Sequence, residues 1–344
     1  MATLSTLDSH VRPPGFRRNV ATEHFPGIRP SSPVDLRQAY VFARGIAKMQ
    51  PSSADTRPGH RLVWMRGTAF ASRSLVAADD AYAIVGRHTQ SDVVLADDPF
   101  VALRHLLVRS IVLPSGGLAL RILDLQTHLG FVLPDGSRHT SIFAEGPVAL
   151  ALGEYALVAL PTEANGDPLP GELPPPEMHT PPHVREQLAA LANAMSPYRA
   201  NARPATNRVS RITLMPRPVM VGEPLPSSLG RLVSAGGYSL TLQREGRSAT
   251  VGLSEEDLSR GAIVGRSEKC CSEMLRRITD VNTSRAHVLV LRDGPLVHAY
   301  DLASTQGTYQ QGMPARRVVL ADAGTMLTLG RGDGAVRLWW QRSR

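Results

Sequence analysis

Apolar residues in this chain fall in short runs, broken by Asp, Gly or Pro, with little trace of a helical period. Leu62-Val63-Trp64-Met65, Ala83-Ile84-Val85, Asp92-Val93-Val94-Leu95, Leu106-Leu107-Val108 and Leu118 to Leu123 have the length and make-up of β-strands. Val148 to Leu160 reads as a hairpin turning at Gly153-Glu154. The texture returns at Ile212 to Met215 and runs through Tyr238 to Leu242, Ala262 to Val264, His287 to Leu291, Val297 to Tyr300, Arg317 to Leu320 and Met326 to Leu329. Val336 to Trp340 is the last such run. Many short strands at close spacing predict sandwiches. The fold class expected is all-β, with two sandwiches, at 61–161 and 210–344.

The segments outside these runs differ in kind. Residues 1–60 are rich in Ser, Thr, Pro and Arg and are expected to be mostly disordered. One short helix is predicted inside them, with Ser32 as its cap, Pro33 in its first turn and Leu36, Tyr40, Ala43 and Ala47 on one face. That helix either packs on the following domain or docks a partner, and Thr3, Thr6 and Thr22 make the region a candidate for phosphorylation. Residues 162–209 form a Pro-rich linker, with Pro174-Pro175-Pro176 and Pro181-Pro182 keeping it extended. A linker helix is predicted from His183 to Met195, because Val184, Leu188, Leu191 and Met195 share one side.

The two strand-rich regions repeat each other. Gly86-Arg87 lies 179 residues before Gly265-Arg266, His105 lies 182 before His287, and Asp124 and Gly130 each lie 177 before Asp301 and Gly307. Near-constant offsets whose small changes fall in loops are what a duplicated domain leaves behind.

Bulk properties narrow the function. The 344 residues leave room for two ordinary domains, and Gly and Pro (29 and 27) suit a turn-rich β protein. No apolar run is long enough to span a membrane. No apolar segment follows the first basic residues, and the two cysteines, Cys270 and Cys271, are adjacent, too close for an ordinary bridge. A cytoplasmic protein is expected. Among 38 basic residues only Lys48 and Lys269 are lysine, so arginine carries the net charge of +8. A GC-rich genome gives such a bias. Arginine also suits anions, because its planar fork makes paired bonds to phosphate. The basic residues are spread without a dense run, which speaks against nucleic acid.

Candidate chemistry gathers between Gly265 and Thr308. Gly265-Arg266, Thr283-Ser284-Arg285-Ala286-His287 and Asp301-Leu302-Ala303-Ser304-Thr305-Gln306-Gly307-Thr308 follow one another, separated by strand-length apolar runs. In this order they resemble the loops of the forkhead-associated (FHA) family, β-sandwiches that bind phosphothreonine peptides. The family pattern is Gly-Arg, Ser-Arg-x-His and Asp-x-x-Ser-x-Asn-Gly-Thr, and this chain departs from it at Gln306, where the family has Asn. The resemblance implies that Arg266 and the hydroxyl and amide of Ser284 contact phosphate and that Thr305 adds a hydroxyl. It also implies that Arg285 assists with charge and Gln306 meets the peptide backbone. Gly265, His287, Asp301, Gly307 and Thr308 are implied as structural support.

The first copy departs further. Ala102-Leu103-Arg104-His105 stands where Ser284-Arg285-Ala286-His287 stands in the second, and Leu129 and Phe131 replace Gln306 and Thr308. This copy is read as degenerate, unable to bind phosphothreonine and serving as a contact surface for a second protein or for self, with Arg87 and Arg104 as a residual anion site.

An enzyme is not expected. Ser284, His287 and Asp301 invite comparison with a catalytic triad, but there is no nucleophile elbow. No phosphate-cradling Gly-rich motif occurs and the histidines lack ligand spacing, so no cofactor or metal is expected. The resulting expectation is a phosphothreonine-reading adaptor in Ser/Thr-kinase signalling or phosphorylation-controlled assembly, whose partner is a phosphoprotein and in some settings the kinase itself. The alternative is a subunit of a larger assembly that uses both folds as phosphate-independent contact surfaces.

Overall fold

The computed structural model describes residues 34–49, 57–77, 82–127, 129–163, 168–169, 171–173, 211–214, 237–267, 270 and 272–342. The predicted linker helix and the N-terminal threonines lie outside these residues.

Two all-β sandwiches stand side by side. The first is built from β1 (Gly59–Arg66), β2 (Ala69–Val76), β3 (Tyr82–Gly86), β4 (Val93–Val94), β5 (Leu106–Val112), β6 (Leu118–Asp124), β7 (Phe131–Val132), β8 (Arg138–His139), β9 (Ser141–Glu145), β10 (Val148–Leu152) and β11 (Tyr155–Thr162). After β12 (Arg211–Leu214), the second uses β13 (Tyr238–Arg244), β14 (Arg247–Leu253), β15 (Ala262–Val264), β16 (Val288–Asp293), β17 (Leu296–Asp301), β18 (Thr308–Gln310), β19 (Met313–Pro314), β20 (Arg317–Leu320), β21 (Thr325–Leu329) and β22 (Val336–Arg342). Two short helices, Glu255–Arg260 and Glu273–Arg276, interrupt it.

The duplication is visible in the pairing. One sheet of the first sandwich runs β2-β1-β11-β10-β7-β8, and its counterpart runs β14-β13-β22-β21-β18-β19, strand for strand. The other sheets share the order β3-β5-β6-β9 and β15-β16-β17-β20, the first gaining β4 and β12 at its edges. The strand β12 corrects the sequence reading. Ile212 and its neighbours were assigned to the second sandwich, yet Arg211–Leu214 pairs with β9 from Glu145 to Ile142 and extends the first. Its apolar residues satisfy strand composition in either place, and only the pairing partner decides.

Each sandwich has its own core between its sheets. Leu62, Leu106, Leu120, Ile142 and Leu157 lie in the first, and Leu240, Val290, Leu327, Leu338 and Trp340 in the second. Helix α1 (Leu36–Met49) covers the outer face of the first sandwich, burying Leu36, Ala43, Ile46 and Ala47 against Val63, Met65, Val158 and Leu160. The apolar stripe is as predicted; Ser32 and Pro33 lie outside the described residues, and the capping bonds come from Asp35. The Asp35 carboxylate accepts from the amides of Arg37 and Gln38, both at 3.0 Å, and a carboxylate also suits the positive end of the helix.

A further apolar layer joins the two sandwiches. Tyr82, Ile84, Leu107, Leu123 and Leu125 of the first meet Ile263, Leu289, Leu291, Tyr300 and Leu302 of the second. The outer faces of β3-β5-β6 and β15-β16-β17 are therefore covered, which is why β3 and β6 are buried at every position. The faces in contact are the equivalent ones of the two copies. Tyr82 packs edge-on against Tyr300 at 5.2 Å.

Candidate functional site

The site grows from the ends of β15, β16 and β17. Gly265 follows β15 where the chain runs hard against the next loop: a Cβ there would lie 2.3 Å from the Arg285 carbonyl oxygen and 2.7 Å from that of Ser284. That approach lets the Arg266 amide donate to the Ser284 carbonyl at 3.2 Å and the Ser267 amide to the Arg285 carbonyl at 3.0 Å. Arg266 is thus fixed beside Ser284, with its side chain exposed.

His287 fixes the other side. Its Nδ1 accepts from the Ser284 amide at 3.1 Å, and its Nε2 pairs with the Gly307 carbonyl at 3.0 Å. Burial, the largest influence, holds this imidazole below its ordinary pKa of 6.5, so it stays neutral and keeps an acceptor nitrogen for the amide. Both ring nitrogens are committed to backbone and cannot serve Ser284 as a general base, which removes the triad geometry.

After β17, Asp301 folds the third loop around its carboxylate. The Ser304 amide (2.9 Å), the Ser304 hydroxyl (2.6 Å) and the Thr308 hydroxyl (2.7 Å) all donate to it. This turn places the Thr305 amide 2.9 Å from Ser284 Oγ, to which it donates. Ser284, Thr305, Arg266 and Arg285 are therefore brought together, the last three exposed. Among the described residues, the guanidinium groups of Arg266 and Arg285 have no ion-pair partner.

One expectation is revised. The Ser284 amide, implied as a phosphate donor, is spent on His287, which leaves its hydroxyl hydrogen and the neighbouring guanidinium groups to meet an anion. Gln306 is exposed beside the β21-β22 turn, its Cβ 3.7 Å from where a side chain at Gly330 would begin. The same turn brings in Arg331, which the sequence pattern does not single out. Arg331 stacks on the Tyr309 ring at 5.0 Å, its Nε donating to the Tyr309 hydroxyl, which in turn donates to the Gln306 carbonyl at 3.2 Å. The hint was an arginine inside an otherwise Gly-rich turn.

The first copy repeats the scaffold without the donors. Gly86 presses on the Leu103 carbonyl at the same 2.3 Å, and His105 Nδ1 accepts from the Ala102 amide at 3.0 Å while its Nε2 meets the Gly130 carbonyl. Asp124 holds Thr127 as Asp301 holds Ser304. Ala102, Leu103 and Leu129 stand at the places of Ser284, Arg285 and Gln306, and Phe131, at that of Thr308, is buried in the core. The Arg87–Arg104 anion site is not assembled: Arg104 turns into the domain interface, its Nε and Nη2 donating to the carbonyls of Leu302 and Ala303. The one-residue move from the Arg285 position to the Ala286 position sends the side chain to the opposite face. This copy presents one face to the second sandwich of the same chain.

Among the described residues no group of His, Cys, Asp and Glu is placed to hold a metal ion. None of their helices is long and apolar enough to cross a membrane.

No protein-family model matches the chain, and no curated protein matches it. Solved structures do. The FHA-1 domain of Mycobacterium tuberculosis Rv1747 is 25% identical over 32% of this chain and all of its own length, with a TM-score of 0.25. The FhaA FHA domain, solved with the intracellular domain of Rv3910, is 25% identical over 29% of this chain and 98% of its own, at 0.22. The FHA domain of CT664 from Chlamydia trachomatis is 21% identical over 29% and 95%, at 0.25. Each is a single FHA domain matched nearly whole by under a third of this chain, and it is FHA domains that the chain resembles.

Proposed function

We propose that the second sandwich captures phosphothreonine peptides, making the chain an adaptor in Ser/Thr-kinase signalling or phosphorylation-controlled assembly. The supporting observation is the contrast between the copies. The first folds the same three loops with alanine in place of Ser284 and leucine in place of Arg285, so the fold does not require those polar groups. To the exposed arginine that both copies carry (Arg87, Arg266), the second copy adds a hydroxyl at Ser284 and a second exposed guanidinium group at Arg285. That set suits a phosphate with about two negative charges and three acceptor oxygens. Arg266 and Arg285 supply charge, Ser284 and Thr305 supply hydroxyl donors, and Gln306 lies where a peptide backbone would pass.

The test is binding of the full chain to degenerate phosphothreonine, phosphoserine and unphosphorylated peptide libraries. Phosphothreonine-dependent capture is expected. A charge-assisted bond contributes about 1.5–3 kcal/mol, so Ser284→Ala and Arg266→Ala are each expected to weaken it by roughly tenfold to a hundredfold. Equal capture of the three libraries, or no effect of either substitution, refutes the proposal in favour of phosphate-independent assembly.

A further inference from the structure

Asp301 to Ser304, the loop that carries Thr305 to Ser284, divides its backbone bonds between the two copies. Its amides turn inward: Ser304 donates to Asp301 and Thr305 to Ser284. Its carbonyls turn outward and are met by side chains of the first sandwich. Tyr82 Oη lies 2.7 Å from the Asp301 carbonyl oxygen. Arg104 Nε donates to the Leu302 carbonyl, and Arg104 Nη2 donates to that of Ala303 at 2.6 Å. The Gln90 amide, with its nitrogen towards the loop, donates to the carbonyls of Ser304 (3.2 Å) and Ala303 (3.3 Å). Four consecutive carbonyls of a binding loop are thus satisfied by another domain.

Two of these donors have no counterpart in the second copy: Ala286 occupies the position equivalent to Arg104, and Gly261 the position equivalent to Tyr82. Ala303 also sits at φ 53, a left-handed conformation that residues with a Cβ rarely adopt, and its carbonyl is one of those held. Arg104 is 8% exposed and burial depresses its pKa, yet among the described residues its guanidinium bonds to no carboxylate; its bonds go to the loop.

We propose that the degenerate copy acts as a built-in support for its neighbour's phosphopeptide site. Arg104 and Gln90 are positioning residues that hold Thr305 against Ser284, so peptide binding and domain docking are thermodynamically coupled. This rests on the phosphopeptide reading above. Coupling is reciprocal: what the first copy does for peptide affinity, the peptide must do for docking of the first copy.

The test uses the full chain with a phosphothreonine peptide selected from the library. Arg104→Met keeps the apolar stem and removes the donors, and is expected to weaken binding at least tenfold. Arg104→Lys, with one donor group, is expected to recover part of it, and Gln90→Ala, at an exposed position, to weaken it severalfold with an unchanged melting temperature. Hydrogen exchange needs no variant. Saturating peptide is expected to slow the amides of Arg87 and His88 in the first copy, a response that a merely structural role for Arg104 would not produce. Wild-type affinity in Arg104→Met and Gln90→Ala, or first-copy amides that ignore the peptide, overturns the coupling alone. Failure of the wild-type chain to bind any phosphothreonine peptide overturns both the coupling and the reading beneath it.

Discussion

Replacing Asp293 with alanine should strain the contact between the sandwiches more than any loss of apolar area there. Asp293 ends β16 and faces the first copy with its side chain 10% exposed. Arg109 pairs with it, Arg121 reaches it at 3.2 Å, and the Tyr300 hydroxyl donates to it. Arg121 also donates to the carbonyls of Ser259 (2.9 Å) and Arg292 (3.2 Å), and burial pushes its pKa down to about 10. Removing the one carboxylate leaves two guanidinium groups in a water-poor layer, which costs about 3–5 kcal/mol for a broken buried pair. In a body of this size that is roughly 10 °C in melting temperature. Scanning calorimetry and urea titration of Asp293→Ala measure it. Replacing all three charges by apolar residues, Arg109→Met, Arg121→Met and Asp293→Leu, is expected to restore stability to within about 2 kcal/mol of wild type. The control is Asp322→Ala, which breaks an exposed pair with Arg342 and should cost under about 1 kcal/mol. If Asp293→Ala melts with the wild-type chain, the charges do not hold the copies together and the reasoning fails.

Gly265→Ala is expected to lower stability by about 2 kcal/mol or more and to abolish phosphopeptide capture, because its Cβ would meet backbone oxygen at 2.3 Å rather than a side chain that can move. Urea midpoints and peptide binding on the same sample check both, and a variant that binds normally refutes the packing account of this glycine. Stability should also depend on acid. His60 and His298 are held by burial at about 3 and about 4, below the ordinary 6.5, and His105 and His287 are lowered too. The unfolded chain therefore binds more protons below pH 6.5, so stability is complete above that value and falls as pH drops towards 4. The slope approaches about 1.4 kcal/mol per pH unit for each histidine. Urea midpoints at pH 7.5, 6 and 4.5 measure it; His60→Gln should flatten the slope by one histidine's share, and equal midpoints at all three values refute the account.

The wiring of the loops was legible because it rests on short, ordered residues. Gly265, His287 and Asp301 each meet partners within the same three loops, and the same residues recur at Gly86, His105 and Asp124. The interface was harder to read. β6, Leu118 to Asp124, reads apolar on both faces apart from Arg121 and the terminal Asp124, a sign of double coverage, but the sequence does not say what covers it. Arg104 was misjudged for a related reason: an arginine near a phosphate-binding pattern suggests an anion, and nothing local shows that backbone carbonyls of a loop about 200 residues away will claim it. The Ser284 amide was assigned to phosphate because its prior claim by His287 is a matter of distance. The edge strand β12 went to the wrong sandwich because pairing across a long connection leaves no local mark.

The pairing of the first and closing strands of each copy has a consequence for how the chain folds. β1 pairs with β11, and β13 pairs with β22, so each sandwich is closed by strands about a hundred residues apart, and the edge strand β12 joins β9 across about 70 residues. Such distant pairings make folding slow, because the chain must close large loops before these contacts form. During synthesis the first copy can complete its closing pair while the second is still emerging. The second cannot close until β22, which lies between β13 and β21, has left the ribosome. Loss of residues 335–344 would take the whole of this central strand. The growing chain thus acquires its support before the loop that needs it.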